Sequence, residues 1–404
     1  MTDTARPLPP RDDRLARAIA LPFHRLLDRI DAGLAAGAIE ADLPDGTHRR
    51  LGGRAAGPVA HVVIHRWRAL VRLATGGSIG WYDGWEAGDW ASPDPVPLFD
   101  LFMRNRRTLG SSARAGGPTR LLARIGHALR RNDPRGARRN IAAHYDLGNA
   151  FYAEWLDPSL TYSSALFESA DDGLEAAQRR KLAAILERTG VQLGGTLLEI
   201  GSGWGSFAAT ASAAGANVHT ITLSEEQKRH VDALALPNVR CTLTDYRHVL
   251  GTYDAVASIE MVEAVGQEFW PDYLNAIARM LRPGGRAAIQ FISIDDAIFD
   301  AYASNVDFIQ RYVFPGGMLI ARDRFAALAE RAGLDWRDEH RFGQDYARTL
   351  RLWRERFEAA VREGRLPAGF DARFVRLWRY YLMYCEGGFS GGGIDVHQVT
   401  LVRR

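Results

Sequence analysis

The chain is poor in lysine and cysteine. Only Lys181 and Lys228 are lysines, so arginine supplies 49 of the 51 basic side chains. Two cysteines, Cys241 and Cys385, are too few for a disulfide framework or a cysteine-built zinc site. Also missing is any run near the ~18 consecutive apolar residues of a bilayer-spanning helix, so none is expected. The opening MTDTARPLPPRDDRLARAIA carries acids and prolines where a secretory signal needs an apolar stretch, and a cytoplasmic protein is expected.

What is present is ordinary globular composition, 47% hydrophobic and 25% charged over 404 residues. At about 150 residues per domain, two or three domains follow. The net charge of +3 conceals an asymmetry: Arg104 to Arg139 holds eleven arginines and one acid, +10, leaving −7 for the rest. Such a stretch favours phosphate. No nucleic-acid-binding motif accompanies it, so the expected contact is an anionic membrane surface and not nucleic acid.

Residues 1–107 read as a small α+β domain, with a helix over Asp13–Ala35, then a strand-like aromatic stretch (HVVIHRW, GGSIGWYDGWEAGDW) and a short helix, PLFDLFMRN. Residues 108–139 read as a basic linker with one helix, Thr119–Arg131. From residue 140 to 404, strand and helix patterns alternate as in a mainly parallel sheet. Strands are expected at Thr196–Ile200, Asn217–Leu223, Val239–Leu243, Tyr253–Ile259, Arg286–Ile292 and His397–Arg403. Helices are expected at Gly205–Ala214, Glu225–Ala233 and Trp270–Leu281, and helical patterns dominate 295–386, broken by FPGGM at Phe314–Met318.

The most informative element is LLEIGSGWGSFA, Leu197 to Ala208: an apolar strand, a turn with Gly201, Gly203 and Gly205, then a helix. Open α/β sheets bind nucleotides at such a turn. The dinucleotide fingerprint needs its third glycine one residue later, where Ser206 stands, and an acid after the second strand, where TITLS places Thr222 and Ser224. Acids lie instead at Glu199 and Asp245. That distribution suits S-adenosylmethionine, a sulfonium with an amino acid and an adenosine but no pyrophosphate.

Several further stretches occur in order: HYDLGNAFYAEWLDPSLTYSSALF (144–167), TLSEEQ (222–227), DYR (245–247), SIEMVEAVG (258–266), QRYVFPGG (310–317), HRFGQDYARTL (340–350) and RYYLMYCEGGF (379–389). Together they resemble the cyclopropane-fatty-acid synthase family, including mycolic acid cyclopropane synthases. The resemblance implies a class I S-adenosylmethionine-dependent methyltransferase. Its α/β fold is Rossmann-like, with a mainly parallel seven-stranded sheet, helical insertions and a small domain in front. It implies one-carbon transfer to the C=C bond of an unsaturated phospholipid acyl chain, by an enzyme peripherally associated with the inner face of the membrane. A homodimer is reasonable on the same precedent. Carried over by position, Tyr162 and Ser163 close over the methionine part of the cofactor with Gly201 and Gly203. Thr222 and Gln227 contact the ribose, and Asp245 with Tyr246 the adenine.

In the family a bound bicarbonate is the base, held by a cysteine, a glutamate, a histidine, a backbone group on an isoleucine, and a tyrosine. The matching positions here are Ser164, Glu263, Gln290, Ile292 and Tyr346, and a further histidine is replaced by Ala264. Serine and glutamine donate hydrogen bonds to an anion but do not titrate near neutrality. Methyl transfer is expected to persist, since the groups that serve it are retained, and it is proton handling that changes. If the proton leaves a neighbouring chain carbon, the product is a methyl-branched alkene and not a cyclopropane. Two other readings are an amine N-methyltransferase on the same core and a lipid-binding protein that has lost catalysis.

Overall fold

The computed structural model describes residues 13–110 and 147–404. His144 and Tyr145 of the HYDLGN motif, the helix expected at 119–131 and most of the basic segment lie outside the described residues. Two compact units divide the chain, Met1–Thr119 and Arg120–Arg404. Their boundary falls within the segment read as a linker.

The first unit contains α1 (Asp13–Gly33), β1 (Ala38–Asp42), β2 (His48–Gly52), β3 (Val59–Ile64), α2 (Arg68–Glu86), β4 (Trp90–Ala91) and α3 (Val96–Arg104). Its sheet runs β2-β1-β3-β4. The aromatic stretch expected as strand is mostly helix α2, because its glycines serve close packing and one kink rather than turns. A Cβ on Gly80 would lie 1.9 Å from the Arg72 carbonyl oxygen, and one on Gly84 would lie 3.1 Å from the Trp90 indole. Gly77, at φ 56°, joins two helical segments. Trp81 and Trp90 stack at 4.2 Å, and the Trp90 indole N–H donates to the Trp81 carbonyl at 2.8 Å. Both Asp89 oxygens accept from Arg68, at 2.8 and 2.9 Å, which fixes the turn into β4.

The second unit runs α4 (Asn149–Ala153), α5 (Leu174–Thr189), β5 (Thr196–Ile200), α6 (Ser206–Ala213), β6 (Asn217–Thr222), α7 (Glu225–Ala233), β7 (Val239–Leu243), β8 (Tyr253–Ile259), α8 (Trp270–Met280) and β9 (Leu281–Ile294). It continues through α9 (Asp296–Ala303), α10 (Phe308–Tyr312), β10 (Ile320–Ala321), α11 (Arg322–Arg331), β11 (Leu334–Arg341), α12 (Gly343–Arg362), α13 (Ala372–Ser390) and β12 (Ile394–Arg403). The sheet follows the order β11-β12-β9-β8-β5-β6-β7, with β10 beside β9. Strands β7, β6, β5, β8 and β9 are parallel, and β12 enters antiparallel between β9 and β11.

Side chains alternate across each strand. Leu198 therefore packs with Ile277, Ile289 and Phe291 on one face, while its neighbour Leu197 packs with Ile185 and Phe207 on the other. Burial on both faces explains why the central strands read as apolar runs. Strand β11 departs from the helical expectation for 295–386. Its sequence LDWRDEHR lies on the edge of the sheet and bulges between Arg337 and His340, with Asp338 at φ 52°. An edge strand tolerates charge and irregularity that no alternation pattern signals.

Candidate active site

The parallel strands end together at the glycine turn. Gly201, Gly203 and Gly205 have φ of 93°, 49° and 88°, the left-handed region that glycine enters without strain. A Cβ on Gly203 would meet nothing within 4 Å, leaving that side of the turn open. One on Gly201 would meet Met261 Cγ at 3.1 Å. Gly201→Ala is accordingly expected to relax the turn, at a cost of about 1–2 kcal/mol for a left-handed residue. Calorimetry should read this as roughly tenfold weaker S-adenosylmethionine binding.

Glu199, at the end of β5, is buried, and its Oε2 has no hydrogen-bond partner. Burial pushes its carboxyl up to about 8. At the end of β6, Thr222 Oγ1 donates to Gln227 Oε1 at 2.7 Å, and Ser224 caps α7 by accepting from the Gln227 amide at 3.2 Å. After β7, both Asp245 oxygens accept from Arg247, at 2.8 and 2.6 Å. The Arg247 guanidinium lies 5.3 Å from the centre of the Tyr246 ring, and burial raises the Tyr246 phenol to about 12. Gly201 and Gly203, carried over for methionine, Thr222 and Gln227 for ribose, and Asp245 and Tyr246 for adenine thus follow the ends of β5, β6 and β7.

Tyr162 sits in a wall of aromatic rings. Its hydroxyl is 2.7 Å from that of Tyr381, and its ring centre lies 5.3 to 5.5 Å from Tyr152, Trp155 and Trp353. Trp204, from the glycine turn, continues the wall at 4.9 Å from Tyr152. Ser163 Oγ accepts from Lys181 Nζ at 2.5 Å. Lys181, on α5, is fully buried, and burial holds its ammonium down at about 8 against the pull of Glu260, Asp157 and Glu199.

The five residues expected around an external base form two groups, not one. Ser164 N–H and Gln290 Nε2–H donate to Glu260 Oε1 at 2.9 and 2.8 Å, and Tyr346 O–H donates to Glu260 Oε2 at 3.0 Å. Ser164 contributes its amide, because its hydroxyl donates to the Ala165 carbonyl at 3.0 Å. The Ile292 amide instead donates to Glu263 Oε1, whose partner oxygen Oε2 is buried and unpaired. Burial and the nearby Glu260 charge push Glu263 up to about 8, so it carries a proton at neutrality. The Tyr346 phenol is raised by burial, so it is a donor and not a base. Glu260 and Lys181 escaped sequence reasoning. The available signals were a second acid within SIEMVEAVG and one of only two lysines in the chain.

The profile of the mycolic acid cyclopropane synthetase family matches residues 132–399. The chain belongs to this family. It is a methyltransferase that uses S-adenosylmethionine, and the open glycine turn, the unpaired Glu199 oxygen and the Thr222–Gln227 pair fit that cofactor. Tuberculostearic acid methyltransferase UfaA1 of Mycobacterium tuberculosis is 38% identical over 96% of this chain and 92% of its own length. Cyclopropane-fatty-acyl-phospholipid synthase of Escherichia coli is 36% identical over 64% of this chain and 66% of its own. The crystal structure of mycolic acid cyclopropane synthase CmaA1, complexed with SAH and CTAB, superposes with a TM-score of 0.62 at 30% identity. It covers 66% of this chain and 98% of that one. Coclaurine N-methyltransferase, at 18% identity and a TM-score of 0.61, shares the fold. Among the described residues no helix is long and apolar enough to cross a membrane.

A separate bicarbonate does not fit this site. The donors expected to hold it are engaged by Glu260 and Glu263.

Proposed function

We propose that this enzyme methylates the C=C bond of an unsaturated phospholipid acyl chain and releases a methyl-branched alkene. The observation that carries the reading is the aromatic wall beside the glycine turn, formed by Tyr152, Trp155, Tyr162, Trp204 and Trp353. An alkene is a weak nucleophile that needs alignment and exclusion of water rather than deprotonation. Aromatic faces also stabilise the cationic carbon left after the methyl group is added. When bound, S-adenosylmethionine supplies an electrophilic methyl group on a sulfonium. Glu199, Thr222 and Gln227 orient it from the strand ends, and Tyr162 and Ser163 cover it.

The tuberculostearic acid in the name of a relative matched over 96% of this chain favours a lipid substrate, and Ser164, Ala264 and Gln290 favour a branched over a cyclised product. The stretch of eleven arginines suits approach to an anionic lipid surface. Phospholipid incubated with methyl-labelled cofactor should yield labelled branched alkene by mass spectrometry and NMR. A labelled cyclopropane overturns the product, and label found only in soluble amines overturns the substrate.

A further inference from the structure

We infer that Glu260 is the base of the reaction, a carboxylate built into the chain in place of an external anion. The inference deepens the reading above and rests on it for the identity of the substrate.

Glu260 follows directly on β8 and has φ 50°. A glutamate in the left-handed region is strained by about 1–2 kcal/mol and persists only where its surroundings enforce it. Here the enforcing contacts are the three donors on its carboxylate. They come from a loop, a strand and a helix that lie 96, 30 and 86 residues away in sequence. Oε1 receives two of them and Oε2 one, so Oε2 keeps a lone pair for an incoming proton.

The donors themselves are fixed. Gln290 Oε1 accepts from Gln398 Nε2 at 3.0 Å, and Gln398 Oε1 accepts from Arg188 Nε at 3.3 Å. This chain of amides compels Gln290 to present its N–H to Glu260. A glutamine there cannot take up the proton itself. Lys181 supplies the nearby positive charge that favours the ionised form, while desolvation raises Glu260 above the ordinary carboxylate range. Glu260 is thereby a stronger base than a solvated carboxylate. Tyr346 and Glu263 are both protonated and do not compete with it.

The step balances. The alkene electron pair bonds to the methyl carbon, the carbon–sulfur bond breaks onto sulfur, and a cation remains on the chain. Glu260 Oε2 then takes a proton from an adjacent carbon. The C–H pair becomes the new C=C bond, and the acid returns its proton to water.

Glu260→Gln preserves shape and should cut lipid methylation about 100-fold, a low value for loss of a general base, with cofactor binding unchanged. Glu260→Gly suits the local backbone and opens a carboxylate-sized space lined by the same donors. Added bicarbonate or formate should restore its activity at least about tenfold, whereas the wild type should be indifferent to bicarbonate removal. NMR with 13C-bicarbonate reads the site without any lipid. The wild type should show no bound signal and Glu260→Gly should show one, and this result stands even if the true substrate is another molecule. Stoichiometric bicarbonate on the wild type, or undiminished turnover by Glu260→Gln, overturns the inference.

Discussion

Lys181→Met should raise the acidic limb of the pH–rate profile by about one unit and lower turnover along that limb roughly tenfold, while high-pH turnover is largely retained. Lys181 is wholly buried beneath Ser163, and its charge is among the influences that hold Glu260 down against desolvation. Methionine matches the volume of the lysine stem and removes only the ammonium. Without that charge the Glu260 carboxylate protonates at higher pH, and only its ionised form accepts a proton from the substrate. The variant therefore loses rate on the acidic side, where Glu260 takes up a proton. Lys181 is thus a positioning residue, and the pH profile separates that role from a merely structural one. A uniform loss at every pH would mean that Lys181 only supports packing around Ser163.

Glu263→Gln should stabilise the catalytic unit at pH 8 and leave it unchanged at pH 4. The folded protein holds Glu263 at about 8, against an ordinary value of 4.5 in the unfolded chain. Between those values the native state binds one proton more than the unfolded state. Stability from this group is fully present below 4.5 and declines as pH rises toward 8, at about 1.4 kcal/mol per unit. Glutamine keeps the oxygen that accepts from the Ile292 amide and has no proton to lose. The gain for the variant at pH 8 is on the order of 4 kcal/mol, read as a shift in the urea midpoint. Equal midpoints at pH 8 would show that Glu263 is ionised in the native protein. The two acids of SIEMVEAVG then divide the work, one charged and one neutral, because their donors differ.

Most of the sheet was legible because β5 and β8 are largely apolar and β6 and β7 are β-branched segments bounded by turns, and the glycine turn announced itself through residue type and spacing. The first unit misled where glycine serves two purposes. In α2, Gly80 and Gly84 admit a backbone and an indole, a use that looks like turn punctuation in sequence. Glu260 was hidden for a related reason. Left-handed backbone is read from glycine or asparagine, and nothing in a glutamate advertises φ 50°. Its three donors converge only after folding. Ser164, Gln290 and Tyr346, expected around an external anion, instead converge on the carboxylate of Glu260.

The scarcity of lysine gains a practical meaning from the burial of Lys181. The only other lysine, Lys228, lies on α7 and is partly exposed beside Asp232. Acylating reagents selective for primary amines therefore find one accessible side chain on the intact fold, and modification of Lys181 reports the opening of the catalytic interior.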